Sequence, residues 1–247
     1  SATSETSAQT SNLDPRRWRA LVVIAIAQLM VVLDASIVNI ALPSLQADLG
    51  ITAANRQWVV TAYTLAFGGL LLLGGRIADY AGRKKTFMIS LIGFAAASAL
   101  GGFAANQAML FGARALQGAF AALLAPAALS LISVTFTDSK ERAKAFAVYG
   151  GLSAGGAAIG LILGGLLTEY ANWRWCLGVN VPIAILAVFL AVNNVHESKA
   201  QGDTRYDIPG AITVTLGLVS LVYGITKAGA LSWGDVQTLG YFGAALV

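Results

Sequence analysis

Asp34 and Arg114 are ionisable residues set inside long apolar stretches of the chain. A charge in hydrocarbon is costly, so it marks a proton relay, an ion path or a paired opposite charge. Low dielectric favours the neutral form of a carboxyl, and a neighbouring guanidinium favours the anion. Asp34 and Arg114 together therefore offer the chemistry of a proton-loading group steadied by a cation. The competing reading is a fixed ion pair that locks two helices and never titrates.

Other residues with chemical potential are weaker candidates. Gly151-Leu152-Ser153-Ala154-Gly155 fits the G-x-S-x-G pattern of a nucleophile elbow. That pattern needs a strand-turn-helix context and a histidine partner. Here it lies in a continuous apolar stretch, and the one histidine, His196, falls in a later polar loop. The single cysteine, Cys176, forms no internal disulfide, and no Cys/His cluster suggests a metal. With no second intramembrane acid and no triad, an enzyme is disfavoured. Gly156, Gly160, Gly164 and Gly165 recur at spacings that bring small residues to one helix face. Such a face lets a second helix approach closely.

The elements that must carry these residues follow from composition. Hydrophobic residues make up 57% of the chain and charged ones 11%, against about 25% charged in an ordinary soluble domain. The apolar residues come in blocks near the ~20-residue length that crosses a bilayer. The blocks are 20–42, 58–75, 86–103, 108–132, 145–167, 175–192 and 208–225, with an eighth starting near Thr238. They are continuous rather than alternating, which argues for helices and against a barrel. The expected fold is an all-α polytopic transmembrane bundle. Residues 1–18 read as a disordered cytoplasmic tail, 19–192 as a six-helix bundle, 193–207 as a cytoplasmic linker, and 208–247 as a seventh and partial eighth span. The first block is too long for a signal-peptide core.

The net charge of +4 follows the membrane rather than a nucleic acid. With the N-terminus cytoplasmic, Arg56, Arg174 and Lys227 are the basic residues left outside and Arg114 lies within a span. All other Lys and Arg fall inside, as the positive-inside rule requires. Trp18, Trp58, Trp173, Trp175 and Trp233 sit near span ends, where interfacial aromatics belong.

These residues resemble the major facilitator superfamily, and within it the 14-span drug:proton antiporters. Gly75-Arg76-Ile77-Ala78-Asp79-Tyr80-Ala81-Gly82-Arg83-Lys84-Lys85 is similar to the superfamily signature between the second and third spans. Leu33-Asp34-Ala35-Ser36-Ile37-Val38-Asn39-Ile40-Ala41-Leu42-Pro43 resembles the first-span signature of the 14-span exporters. Arg114-Ala115-Leu116-Gln117-Gly118 resembles the fourth-span motif, and Trp173-Arg174-Trp175 with Asn180-Val181-Pro182 the start of the sixth span. A seventh span follows the short linker 193–207, as in the group with extra central helices. One departure is Leu161, where the antiporter glycine motif usually has proline.

The resemblance implies a major-facilitator-like N-terminal half plus the start of the extra central helices. It implies a proton-coupled efflux antiporter of small hydrophobic or cationic drug-like compounds, with no cofactor and driven by the proton gradient. Asp34 and Arg114 become the proton-coupling pair, and Gly75, Asp79, Gly82 and Arg83 a conformational latch. Expected partners are the lipid bilayer, substrate, protons and a missing C-terminal half. The site is the cell membrane, multi-pass, with the N-terminus cytoplasmic. Alternatives are an exporter dedicated to one metabolite or antibiotic, and a non-transporting truncated membrane fragment.

Overall fold

A computed structural model describes residues 13–202 and 205–247. Among them every regular element is an α-helix: α1 (Arg17–Leu49), α2 (Trp58–Ala81), α3 (Arg83–Gly102), α4 (Gln107–Thr135), α5 (Ser139–Tyr170), α6 (Arg174–Gly178), α7 (Asn180–Asn194), α8 (Ile208–Ala230) and α9 (Val236–Ala245). Among the described residues seven spans are long and apolar enough to cross a membrane, with α6 and α7 together forming the sixth, Arg174–Asn194. The one-residue break at Val179 has a local cause. Pro182 lacks the N–H that would reach the carbonyl of Gly178, so the ladder is interrupted at the head of α7.

The helices outrun the apolar blocks because hydropathy marks only the buried length, while caps set where a helix stops. α1 continues through Pro43 to Leu49 and ends at Gly50, whose φ of 63° and N–H bond to the Gln46 carbonyl form a left-handed cap. α5 starts at Ser139 rather than at residue 145, because Asp138 accepts a bond from Glu141 N–H at 2.9 Å. The polar stretch between the fourth and fifth apolar blocks is therefore largely helix from Ser139 on. α1 already includes Arg17 and Trp18, so the tail is shorter than 1–18, and its residues 1–12 lie outside those described. In the linker, 193–194 belong to α7, and 203–204 lie outside the described residues. α9 begins at Val236, just before the expected start.

α1 packs between α5 and α7, while α4 packs against α2 and α3; α8 leans on α2 and pairs with α9. Closest approach is made where a side chain is absent. A Cβ on Gly118 of α4 would collide with the Tyr63 carbonyl of α2, and one on Gly74 of α2 with the Ala122 carbonyl of α4. The buried apolar side chains form two clusters. Met30 belongs to one and Leu33 and Ile37 to the other, so Asp34 lies on α1 where the two clusters meet.

At the N-terminal end of α1, an ion pair and a hydrogen bond tie three helices together. Arg17 pairs with Glu141 of α5 at 2.7 Å, and Arg16 donates to the Asn193 carbonyl of α7 at 2.8 Å. Trp18 packs edge-on against Phe136 beyond the end of α4, with ring centroids 5.0 Å apart.

Candidate functional site

Asp34 and Arg114 meet. Arg114 Nη1 donates to Asp34 Oδ2 at 2.7 Å, and the two side chains are 1% and 0% exposed. α1 supplies the acid and α4 the base. Neutral polar groups complete the arrangement. Asp34 Oδ1 accepts from Asn180 Nδ2 of α7 at 2.9 Å and from Gln117 Nε2 of α4 at 3.2 Å. Gln117 Nε2 also donates to Ser98 Oγ of α3 at 2.6 Å, and Asn180 Nδ2 to the same oxygen at 3.2 Å. Arg114 is held in turn by the Val59 carbonyl at 2.9 Å and by Gln117 Oε1 at 2.8 Å. Its guanidinium lies 4.7 Å from the centre of the Tyr63 ring, a cation–π contact. α4 and α7 thus reach the carboxylate of α1 directly, and α2 and α3 through Arg114, Gln117 and Asn180.

Bringing two charges out of water costs several kcal/mol per ion, on the order of what a good buried pair recovers. Here the pair is compensated by three donors on the carboxylate and by a carbonyl, an amide oxygen and a ring on the guanidinium. Such a site can hold one full negative charge in an apolar setting. Hydrogen bonds of the pair and its two amides reach four helices besides α1.

Ser98, Gln117, Asn180 and Tyr63 were not singled out as site residues by sequence. Gln117 carried a usable signal: it stands three residues after Arg114, hence on the same helix face. Asn180 is a polar residue within an apolar run. Ser98 and Tyr63 have no such mark.

Of the four residues expected to form a latch, Asp79, Gly82 and Arg83 lie at the turn between α2 and α3, and Gly75 lies further back in α2. Asp79 and Arg83 pair at 3.0 Å across Gly82, whose φ is 123°. Asp79 Oδ1 also accepts from Ser130 Oγ of α4 at 3.3 Å, and its carbonyl from Ala200 N–H at 2.7 Å. Arg83 N–H donates to the Ser198 carbonyl at 3.0 Å, and Nη1 to Ser198 Oγ at 3.3 Å. Glu197 accepts from the N–H groups of Lys84 and Lys85 at 3.0 and 2.9 Å, a carboxylate on the positive end of α3. Gly75 and Asp79 line an open groove of about 610 Å³ between α2 and α4, with Pro126 opposite.

The fifth-span glycines divide. Gly156 faces Leu29 and Val32, Gly160 faces Ser36 and Leu33, and Gly164 faces Ile37 and Ile40, all on α1. Gly165 departs from expectation: a Cβ there would meet nothing within 4 Å. A spacing of four keeps residues 156, 160 and 164 on one face, and one further residue turns away from it. Ser153 of the elbow-like pattern lies mid-helix, accepting from Gln28 Nε2 at 2.8 Å, whereas His196 is beside Asp14 at 3.2 Å. Among the described residues no group of His, Cys, Asp and Glu could hold a metal.

A family model described as Major Facilitator Superfamily matches residues 24–246. The chain is 57% identical over 222 residues to the puromycin resistance protein pur8 of Streptomyces alboniger, covering 90% of this chain and 44% of that protein. It is 43% identical over 218 residues to the cephamycin export protein CmcT of Amycolatopsis lactamdurans, covering 87% and 45%. The chain thus spans less than half the length of these relatives. In fold it is similar to a crystal structure of peptide transporter POT in complex with sulfate, with a TM-score of 0.66 and 15% identity over 90% of this chain and 48% of that one.

Proposed function

The chain belongs to the major facilitator superfamily, and we propose that it is the N-terminal half of a proton-coupled exporter of small hydrophobic or cationic compounds. The supporting observation is the fully buried Asp34–Arg114 pair with its converging amides. Asp34 carries the coupled proton, and Arg114 holds its anion between loading events. Protons entering down their gradient drive substrate out, with no cofactor. The N-terminus lies in the cytoplasm, and a C-terminal half closes the cavity, so that the two halves rock around a central site. The short link between the sixth and seventh spans fits a 14-span chain.

Asp79 and Arg83 act as a latch. Ser130 of α4 and Ser198 and Ala200 of the linker hold them at the turn, so loosening the turn would loosen several elements together.

A second reading of the substrate has its own support. Relatives at 57% and 43% identity are named for a single antibiotic each, puromycin and cephamycin. An exporter dedicated to one antibiotic is therefore the narrower form of the proposal. The test is transport by the full-length protein in proteoliposomes with an imposed pH gradient. Puromycin and a lipophilic dye cation serve as probes. Uptake of both that collapses with the gradient supports the broad reading, and uptake of puromycin alone the narrow one. Uptake insensitive to the gradient rejects proton coupling.

A further inference from the structure

Two side-chain amides touch Asp34, and they are held very differently. Gln117 is fixed at both ends. Its Oε1 accepts from Arg114 Nη1 at 2.8 Å, and its Nε2 donates to Ser98 Oγ at 2.6 Å. Reversing that amide would turn its N–H groups toward a guanidinium, which has no acceptor. Asn180 is fixed at one end only. Its Nδ2 donates to Asp34 Oδ1 and Ser98 Oγ, while its Oδ1 is fully buried with no hydrogen-bond partner. A buried unpaired oxygen is a cost that native structures rarely leave unexplained.

The present orientation of Asn180 suits a carboxylate, which only accepts. A proton arriving from water on Asp34 Oδ1 turns that atom into a donor facing the Asn180 N–H group. The two ends of a side-chain amide are nearly isosteric, so a half-turn about its last torsion exchanges donor for acceptor without repacking. We propose that Asn180 is a proton-responsive positioning residue. It donates from Nδ2 to the Asp34 carboxylate and, after a half-turn, accepts at Oδ1 from the Asp34 acid. The Ser98 hydroxyl, able to donate or accept, follows either state. Charged and titratable groups facing this site are Arg114 from α4 and Tyr63 from α2; α3 contributes Ser98, and α5 packs glycines against α1. Asn180 stands at the first position of α7, directly after the Val179 break. The protonation state of Asp34 is thereby read at the first residue of α7.

This inference rests on Asp34 taking up the coupled proton. The test is acid-minus-alkaline infrared difference spectroscopy on the full-length transporter in lipid nanodiscs, with asparagine side-chain amides isotope-labelled. Asp34→Asn identifies the Asp34 acid band, and Asn180→Leu identifies the Asn180 amide band. Asn180→Ser makes the same assignment if the leucine variant does not fold. The expected result is an Asp34 acid band together with a labelled amide band that is lost in both the Asp34 and the Asn180 variants. An Asp34 band without an Asn180 amide band overturns this inference and leaves the proton-carrier reading standing. Absence of the Asp34 band overturns both.

Discussion

Arg114 Nη1 lies 2.7 Å from Asp34 Oδ2, and neither side chain is more than 1% exposed. Removing one member of such a pair leaves a buried charge uncompensated, typically at a cost of about 3–5 kcal/mol. The two deletions are not equivalent. Without Arg114, Asp34 can take up a proton and become neutral, whereas without Asp34, Arg114 stays charged. In the full-length protein, Arg114→Leu is therefore expected to lower thermal stability less than Asp34→Leu. The double variant should be more stable than the sum of the single losses predicts, by ~1–3 kcal/mol of coupling. Additive losses in a double-mutant cycle on purified protein would show that the pair does not interact energetically.

The glycine face of α5 gives a local contrast. A methyl at Gly160 would sit 2.7 Å from Ser36 Cβ and 3.3 Å from the Leu33 carbonyl, while one at Gly165 meets nothing within 4 Å. Gly160→Ala should destabilise by roughly 1–3 kcal/mol through overpacking. Gly165→Ala should be neutral or stabilising, by about 0.5–1 kcal/mol from helix propensity. Melting of the two purified variants decides it; equal melting temperatures would contradict the packing described.

At the latch, Gly82→Ala meets both an unfavourable φ of 123° and the Glu197 carboxylate, 2.8 Å from the new methyl. Asp79→Asn keeps the shape but removes the charge facing Arg83. The Asp79 variant should insert normally and transport several-fold more slowly. Gly82→Ala should also lose thermal stability. Wild-type turnover by a well-inserted Asp79→Asn protein would remove the latch from the account.

Orientation is tested by labelling. Cysteine at Lys84 or Lys144 in a Cys176→Ser background should be shielded from an impermeant reagent outside intact cells. Cysteine at Phe103, 80% exposed, should react. The neighbouring Asn106 is left intact, because its side chain caps α4 by accepting from Met109 N–H and loss of such a cap costs about 1 kcal/mol. External labelling at Lys84 would invert the assigned topology.

The charged half of the site was legible in the sequence because Asp34 and Arg114 stand out against apolar neighbours. The neutral half was not. Gln117 and Asn180 sit 63 residues apart in the chain, and only the packing of α4 and α7 around α1 brings both amides to Asp34. The membrane spans were readable from hydropathy, but the helix ends depend on single caps. Asp138 with Glu141 three residues later is a start signal that an apolar-block reading passes over. Gly165 was separable by spacing alone: one residue past Gly164, it turns off the face shared by residues 156, 160 and 164.

The proposed proton-carrying role of Asp34 turns on one variant. The decisive measurement is substrate uptake by well-folded full-length Asp34→Asn in proteoliposomes, with and without a pH gradient, beside equilibrium binding of the same substrate. Near-wild-type binding is expected, with downhill exchange that persists and loss of the acceleration the gradient gives the wild type. Full gradient-driven transport by that variant would contradict it.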